Sequence, residues 1–534
     1  MSTKEFTGHP EARRAKKNPL AWVLLALLAI NIIALNYIGC REYGRVDLSE
    51  YESYSISERT LNILKSDAVQ NRKTPIRIIF AFPGSSPGYH RMYMLLEEYK
   101  RNADGMIEVE CFDPLRQPGR ARQISDIYGV KFDTPRCIVD ARDIEDKNKP
   151  IDYADKSPES ANKYARIPGS AFVRYETQPD GRRKVVALMM DEVLSDGIIR
   201  ATEGRQRKMY VVTGKGDIKR DNNNYINFNQ YTVLPEIASS LNIKLEPYDL
   251  PEDRVVDILE QDNEVEGIII VAPTSDFTPE QVESLRMFWD RNEHKSIFIA
   301  FDPNIPYYMD TKNENSQYVK APTFSHLYQF IREKGIHPGG DNCILKNGST
   351  YVNEITVKFP PESLMCARNF WNNTTQYKGQ SRSFRLEHDD PARASLEKLT
   401  LFNLVETTAE YYGEMDKVPH QDSKDLQGPL CVTAAVTKGS ANEENNINTL
   451  VVMGNVDMLT VEGSQRKEFK DYMRSVWAWM TERPEYAGKS SNYDLTVKID
   501  LNRHTRSAVE HLTLIIMPLL ALLIGLVIWN TRRH

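Results

Sequence analysis

The chain has 534 residues, 27 % of them charged and 41 % hydrophobic, enough for two to four domains with proper cores. Its formal net charge is −6; the basic N-terminal tail contributes +3 and the C-terminal tail +2, which leaves −11 for the region between. An acidic interior stretch of that size excludes nucleic acid as a partner, because phosphate binding depends on Lys and Arg displacing counterions.

The first element is an uncharged run, Pro19–Ile38, long enough to cross a bilayer as a helix. Its apolar core is too long for a cleaved signal peptide, and no small-x-small cleavage site follows. Gly39-Cys40 has the look of a lipoprotein processing site, with lipid on Cys40, but Tyr37 is a poor residue upstream of one. A second run, Leu512–Trp529, lies near the other end. Lys4, Arg13, Arg14, Lys16 and Lys17 outweigh Glu5 and Glu11, so residues 1–18 are expected to stay cytoplasmic. Two spans, 19–38 and 512–529, then return residues 530–534 to the same side. The expected location is the inner membrane, with both termini cytoplasmic and the large middle region exoplasmic. Six cysteines at irregular intervals, with no CxxC, do not make a disulfide framework or a zinc module.

Beyond the polar stretch 41–71, the pattern predicts a strand at Ile76–Phe82, a helix at Tyr89–Asn102, a strand at Ile107–Phe112, a short helix at Arg120–Tyr128 and a strand at Arg136–Val139. A hairpin is expected from Ala171–Thr177 and Lys184–Met189 around the turn signal Asp180-Gly181. This β-α-β-α-β-β order resembles a thioredoxin-like domain, expected over residues 41–200. "YGVKFDTPRCIV" (Tyr128–Val139) resembles the segment in which that family carries a cis-proline, which makes Pro135 the expected cis position. The redox pair is missing: "FPGSSPGYHRM" stands where the CxxC belongs, and Cys111 and Cys137 fall on strands either side of the central one.

A second α/β domain is expected over residues 205–500. Strands are predicted at Met209–Thr213, Ile243–Leu250, Gly267–Ala272 and Ser296–Phe301, with helices at Tyr231–Leu241 and Phe324–Lys334. "GIIIVA" is a continuous apolar run of the kind that parallel sheets bury on both faces. In "TPEQVESLRMFWD", Thr278 caps, Pro279 takes the first helical position and Gln281 closes a capping box. Later strands at Leu430–Val436 and Thr449–Met453, and a helix at Lys467–Met480, complete the same sheet. The alternation is that of a doubly wound sheet of the Rossmann, flavodoxin or amidotransferase kind.

The candidate ligand or partner loop is Gly214, Lys215, Gly216 and Asp217, directly after a strand. It is not a Walker loop: Met209 stands where the first glycine is needed, and Gly216 follows the lysine instead of Ser or Thr. Nor is it a dinucleotide fingerprint, since the third glycine would be Lys219. It reads either as a structural turn or as a ligand loop whose ammonium meets an anion. Ser275 lacks the flanking glycines of a nucleophile elbow, and no cysteine stands at that turn. Glu387, His388, Asp389 and Asp390 crowd one loop, where adjacent side chains rarely converge on an ion. No catalytic residue, metal site or cofactor is therefore expected.

Five segments together resemble the GldG-type family, the auxiliary component of ABC transporters associated with gliding motility: Arg45–Leu64, Leu95–Pro114, Arg207–Asp217, Ile268–Asp290 and Thr449–Leu459. The family's turn commonly reads Gly-His-Gly-Glu, so Lys215 departs from it. The resemblance implies a non-catalytic subunit that works with a separate ATPase and a separate multi-span permease and presents its exoplasmic region to cargo or envelope partners. A tethered binding protein for a glycan or small ligand, and an envelope hydrolase, are the alternatives.

Overall fold

A computed structural model describes residues 27–28, 30–31, 56–151, 163–177, 182–291, 293–303, 307–309, 318–320, 324–339, 343–346, 354–361, 363–415, 421–439, 447–491, 493–494 and 518–519. The chain divides into two units, Met1–Glu52 and Ser53–His534. In the first, the four described residues are helical and exposed. The apolar runs Pro19–Ile38 and Leu512–Trp529 otherwise lie outside the described residues. Among the described residues no helix is long and apolar enough to cross a membrane.

The second unit begins with α1 (Glu58–Lys65), whose N-cap Ser57 accepts the Thr60 amide. An N-terminal module follows: β1 (Ile76–Ala81), α2 (Tyr89–Asn102), β2 (Ile107–Phe112), α3 (Pro118–Tyr128), β3 (Arg136–Asp140) and β4 (Tyr164–Pro168). These strands form a sheet in the order β2-β1-β3-β4, with β1 and β2 parallel and the other two pairs antiparallel. The fourth strand is therefore Tyr164–Pro168 and not part of the expected hairpin. The hairpin itself exists as β5 (Val173–Thr177) and β6 (Arg183–Leu188), but it sits in a separate small sheet. Cys111 and Cys137 oppose Phe80 from the two strands that flank β1.

A second correction concerns Pro135. Its peptide bond is trans; among the described residues the one cis bond is Gly428–Pro429. The trans bond leads the chain directly into the β3–β4 ladder, where the Pro135 carbonyl accepts the Gly169 amide at 2.8 Å. A Cβ on Gly169 would stand 2.7 Å from that carbonyl oxygen, so glycine is what allows the approach.

Helix α4 (Met190–Glu203) leads into the large sheet. There β7 (Arg207–Val212), α5 (Val233–Ser240), β8 (Ile243–Tyr248), β9 (Val265–Val271), α6 (Pro279–Trp289), β10 (Ser296–Ala300) and α7 (Ser325–Glu333) alternate as expected. The capping box of α6 forms, with Thr278 and Gln281 bonded reciprocally. The segment beyond, which shows no clear pattern in the sequence, supplies β11 (Glu354–Lys358), β12 (Thr374–Lys378) and β13 (Leu399–Thr407). The chain closes with β14 (Cys431–Lys438), β15 (Asn448–Met453), α8 (Lys467–Met480) and β16 (Tyr493–Asp494), the last paired with β6.

The main path of the large sheet runs β8-β7-β9-β10-β15-β14-β13-β11-β12. From β8 to β15 the neighbours are parallel; from β15 to β12 they are antiparallel. Period-two alternation sorts the parallel strands' side chains between two cores. Val211, Ile269, Phe298 and Val451 face α5 and α8, where Leu234, Ile237, Val476 and Trp477 meet them. Ile268, Ile270, Ile299 and Val452 face α6 and α7, with Phe288, Trp289, Phe330 and Ile331. The α5–α8 core runs on without a break into Ile78, Phe80, Leu96, Tyr99 and Ile198 of the N-terminal module. The two regions expected as separate domains thus share one hydrophobic core.

Candidate functional site

Chain order and strand order disagree at one place in the parallel region. The chain leaves β7 through α5 to β8 on one side, then crosses back so that β9 lies against the other side of β7. The connections after β7 and β9 diverge to opposite faces, which in an open α/β sheet leaves a crevice at the carboxyl ends of those two strands. Gly214–Asp217 sits there, as a turn after a buried strand should.

The loops after β7 and β9 are bonded to each other across the crevice. Gly216 forms an isolated antiparallel bridge with Pro273. The Lys215 carbonyl accepts the Thr274 amide at 2.6 Å and the Ser275 amide at 3.4 Å. Gly216 lies so close to the Ala272 carbonyl that any side chain would collide with it. Gly214 has φ +86, a conformation that glycine adopts readily and L-residues resist. Across the crevice Ala272 has φ 44, uncommon for a residue with a side chain.

The Lys215 ammonium already has its anion. It is 2.6 Å from Glu252 Oε1 and donates to the Asp276 carbonyl at 3.2 Å, 5.7 Å from the centre of the Phe277 ring. The lysine is 8 % exposed, whereas the Glu252 side chain is 66 % exposed. The Asp276 carboxylate in turn accepts the His326 and Leu327 amides and the Ser325 hydroxyl, which fastens the start of α7 to the same loop. Burial pushes the Asp276 carboxyl up, but these donors together with the Phe277 amide outweigh it and hold it below the usual aspartate range.

Asp217 faces the other way. It accepts the Tyr231 hydroxyl at 3.1 Å, and its carbonyl accepts the Asn229 side-chain amide at 2.7 Å. Two further carboxylates belong to this edge: Asp302, which follows β10, and Asp457, which follows β15. Burial, aided by Asp217 and Asp302, pushes the Tyr231 hydroxyl up. Burial and then Asp302 push the Asp457 carboxyl up. Asp302 and Asp457 carry no motif in the sequence; the one signal is that each follows a fully buried strand, in "FDP" and "GNVDML".

The remaining sequence candidates fall into structural roles. Asp390 caps the short helix Pro391–Leu396, Asp389 lies 3.5 Å from His337, and Glu387 pairs with Arg385, so the crowded loop does not converge. Ser275 contributes its amide to the loop-to-loop contact. Burial pushes the Cys111 thiol up to about 11 and the Cys366 thiol up to about 12, away from the thiolate form that nucleophiles need. A 600 Å³ hollow lies at the opposite, amino-terminal edge of the sheet, where Arg205–Glu264 and Arg207–Glu266 pair across it. A 790 Å³ groove beside β14 is lined by His337, Phe384, Leu386 and Leu430 among others.

No family model matches the chain, and no curated protein matches it. Among solved structures, the N-terminal domain of mmIFT52 is similar at 14 % identity and a TM-score of 0.33, over 51 % of this chain and 97 % of that one. A putative ThuA-like protein from Parabacteroides merdae is similar at 10 % identity and a TM-score of 0.27, over 55 % of this chain and 93 % of that one.

Proposed function

We propose that this chain is a non-catalytic, membrane-anchored auxiliary subunit of an ABC transporter of the GldG type, holding a rigid exoplasmic body beside a separate ATPase and a separate multi-span permease. The observation that carries this reading is the self-closed switch point. The crevice where open α/β sheets take small ligands is bridged here by the chain's own loops, and Lys215 is paired with Glu252 of the same chain. That favours a body that works through its outer surface over a tethered receptor for a glycan or small molecule, and over a hydrolase.

Two further observations favour it. The N-terminal strand order, β2-β1-β3-β4 between α2, α3 and α4, fits the thioredoxin-like reading, although Pro135 no longer contributes to it. The β8-β7-β9-β10-β15 order fits a flavodoxin-like doubly wound sheet. The segments that carry the resemblance also build the fold's junctions: Arg45–Leu64 supplies Ser57, Arg59 and Thr60, and Leu95–Pro114 supplies Tyr99, three of which bond to Asp191.

The test is purification of the full chain from its native membranes in mild detergent. The expected result is stoichiometric recovery of one ATPase and one multi-span permease. Recovery of the chain without either would overturn the reading. A reporter fused after His534 should be active on the cytoplasmic side; activity only outside would overturn the two-span topology.

A further inference from the structure

The two ends of the body meet at a buried guanidinium. Arg59 of α1 is 1 % exposed and binds four partners from distant parts of the chain. Its Nε donates to the Tyr486 carbonyl at 3.3 Å, Nη1 to Ser195 Oγ at 3.1 Å and Asp196 Oδ1 at 2.8 Å, and Nη2 to the Ser240 carbonyl at 3.0 Å. One side chain therefore joins α1, α4 of the N-terminal module, the end of α5 in the large sheet, and the stretch that follows α8. Arg474 of α8 makes a second such link, to Asp471 Oδ1 at 3.0 Å, to Ser240 Oγ at 3.1 Å and to Glu192 of α4.

Residues 486–490 run between these two arginines. Toward α1, the Lys489 carbonyl accepts the Arg59 amide at 3.3 Å and the Ala487 carbonyl accepts Asn62 Nδ2 at 3.1 Å. Toward α8, the Gly488 amide donates to Ser475 Oγ at 3.1 Å, and the Ser490 amide and hydroxyl donate to Asp471 at 2.9 and 2.8 Å. Gly488 has φ +131, and a Cβ there would stand 3.0 Å from the Arg59 nitrogen. The stretch can lie so close to α1 because it carries no side chain at that point.

We propose that residues 486–490 are a strap that holds the joint between the two modules closed, and that displacing the chain beyond Ser490 loosens that joint while the large sheet stays folded. The coupling is chemical. Arg59 and Asp471 each bind the strap with some of their polar atoms and the joint with the others. Lifting the strap leaves both buried charges under-satisfied, which weakens their hold on Asp196, Ser240 and Arg474. Past the strap, β16 pairs with β6 of the small hairpin sheet, so the strap is followed at once by a further contact with the body. The inference goes beyond the transporter reading and stands whether or not the chain has such partners.

The experiment is hydrogen–deuterium exchange on the full chain in detergent, comparing wild type with Gly488→Val and Ser490→Ala. Gly488→Val should accelerate exchange in α1 and α4 by about tenfold or more, with β9 and β15 unchanged, as expected for a sub-global opening. Ser490→Ala removes one donor to Asp471 and should give the same pattern more weakly, which keeps the test valid where the valine variant fails to fold. Unchanged exchange in α1 and α4 in the folded variants would overturn the strap. So would equal acceleration in β9 and β15, which would make 486–490 an ordinary part of the core.

Discussion

The switch point of the large sheet and the joint between the modules both bring charged side chains under cover, and they differ in where the counter-charge sits. At the switch point Lys215 is covered but its partner Glu252 is 66 % exposed, so water screens half of the pair. At the joint both partners are covered: the Arg474 side chain is 3 % exposed, with Glu192 at 9 % and Asp471 at 2 %. A half-exposed pair contributes little to stability and can be rearranged cheaply. A fully covered network costs several kcal/mol if one member is removed, because the others keep their desolvation penalty. The place where this fold class usually receives ligands is thus closed with weak contacts, and the place where two modules meet is closed with strong ones.

The largest test of that difference is Arg474→Met. It takes the guanidinium away from Glu192, which keeps Lys470 at 3.5 Å, and from Asp471, which keeps Ser490, so the expected loss is at the lower end for a broken buried pair, about 3 kcal/mol, read from the denaturant midpoint of the full chain. A loss below about 1 kcal/mol would mean that the joint is as well screened as the switch point. Next comes Gly214→Val, which forces a branched side chain into a positive-φ turn and should cost about 1–2 kcal/mol with the fold retained. A neutral result would show that the turn relaxes, and that its backbone is not what closes the crevice.

Asp276 connects the crevice loop to α7 and gives the comparison a pH axis. Its folded-state pKa is lowered, so its contribution is present above the ordinary aspartate value, about 3.9, and is lost as pH falls through the lower folded value. Wild type should therefore lose more stability than Asp276→Asn between pH 6 and pH 3, by about 1 kcal/mol, the scale of a helix N-cap. Parallel curves for the two proteins would remove Asp276 from the closing contacts. The smallest effect is expected for Lys215→Met, within about 1 kcal/mol of wild type, since it removes a half-exposed pair and keeps the apolar stem. Stoichiometric ATP binding by the wild type that Lys215→Ala abolishes would instead make this turn a phosphate site.

The position of the crevice turn was legible in the sequence, whereas the contacts that close it and the joint were not. "GIIIVA", the Thr278–Gln281 capping box and the Lys467–Met480 helix have periods and caps that local physics reads without help, and the structure places them accordingly. Gly214–Asp217 falls at a strand's carboxyl end for the same reason. What closes it depends on Glu252, which reaches the turn after one crossover, and on Pro273 and Asp276, which reach it after two. The joint is harder still. Glu192 and Arg474 are polar positions on amphipathic helices, where periodicity assigns them to solvent, and each is buried because its partner arrives from 282 residues away. Tyr164–Pro168 gives no strand signal because only Ala165 and Ile167 point inward, too few to establish an alternation.

One consequence concerns how the chain could be rewired. Because Asn62 and Arg59 touch Ala487 and Lys489, the two ends of the stretch 57–490 lie side by side. In topological terms everything from 57 to 490 is a closed loop, the geometry that tolerates insertion into a host protein and circular permutation. A short linker joining these two ends, with new ends opened in an exposed turn such as Asp221–Asn224, should preserve both sheets. Their order in space would be unchanged, although their order along the chain would be new.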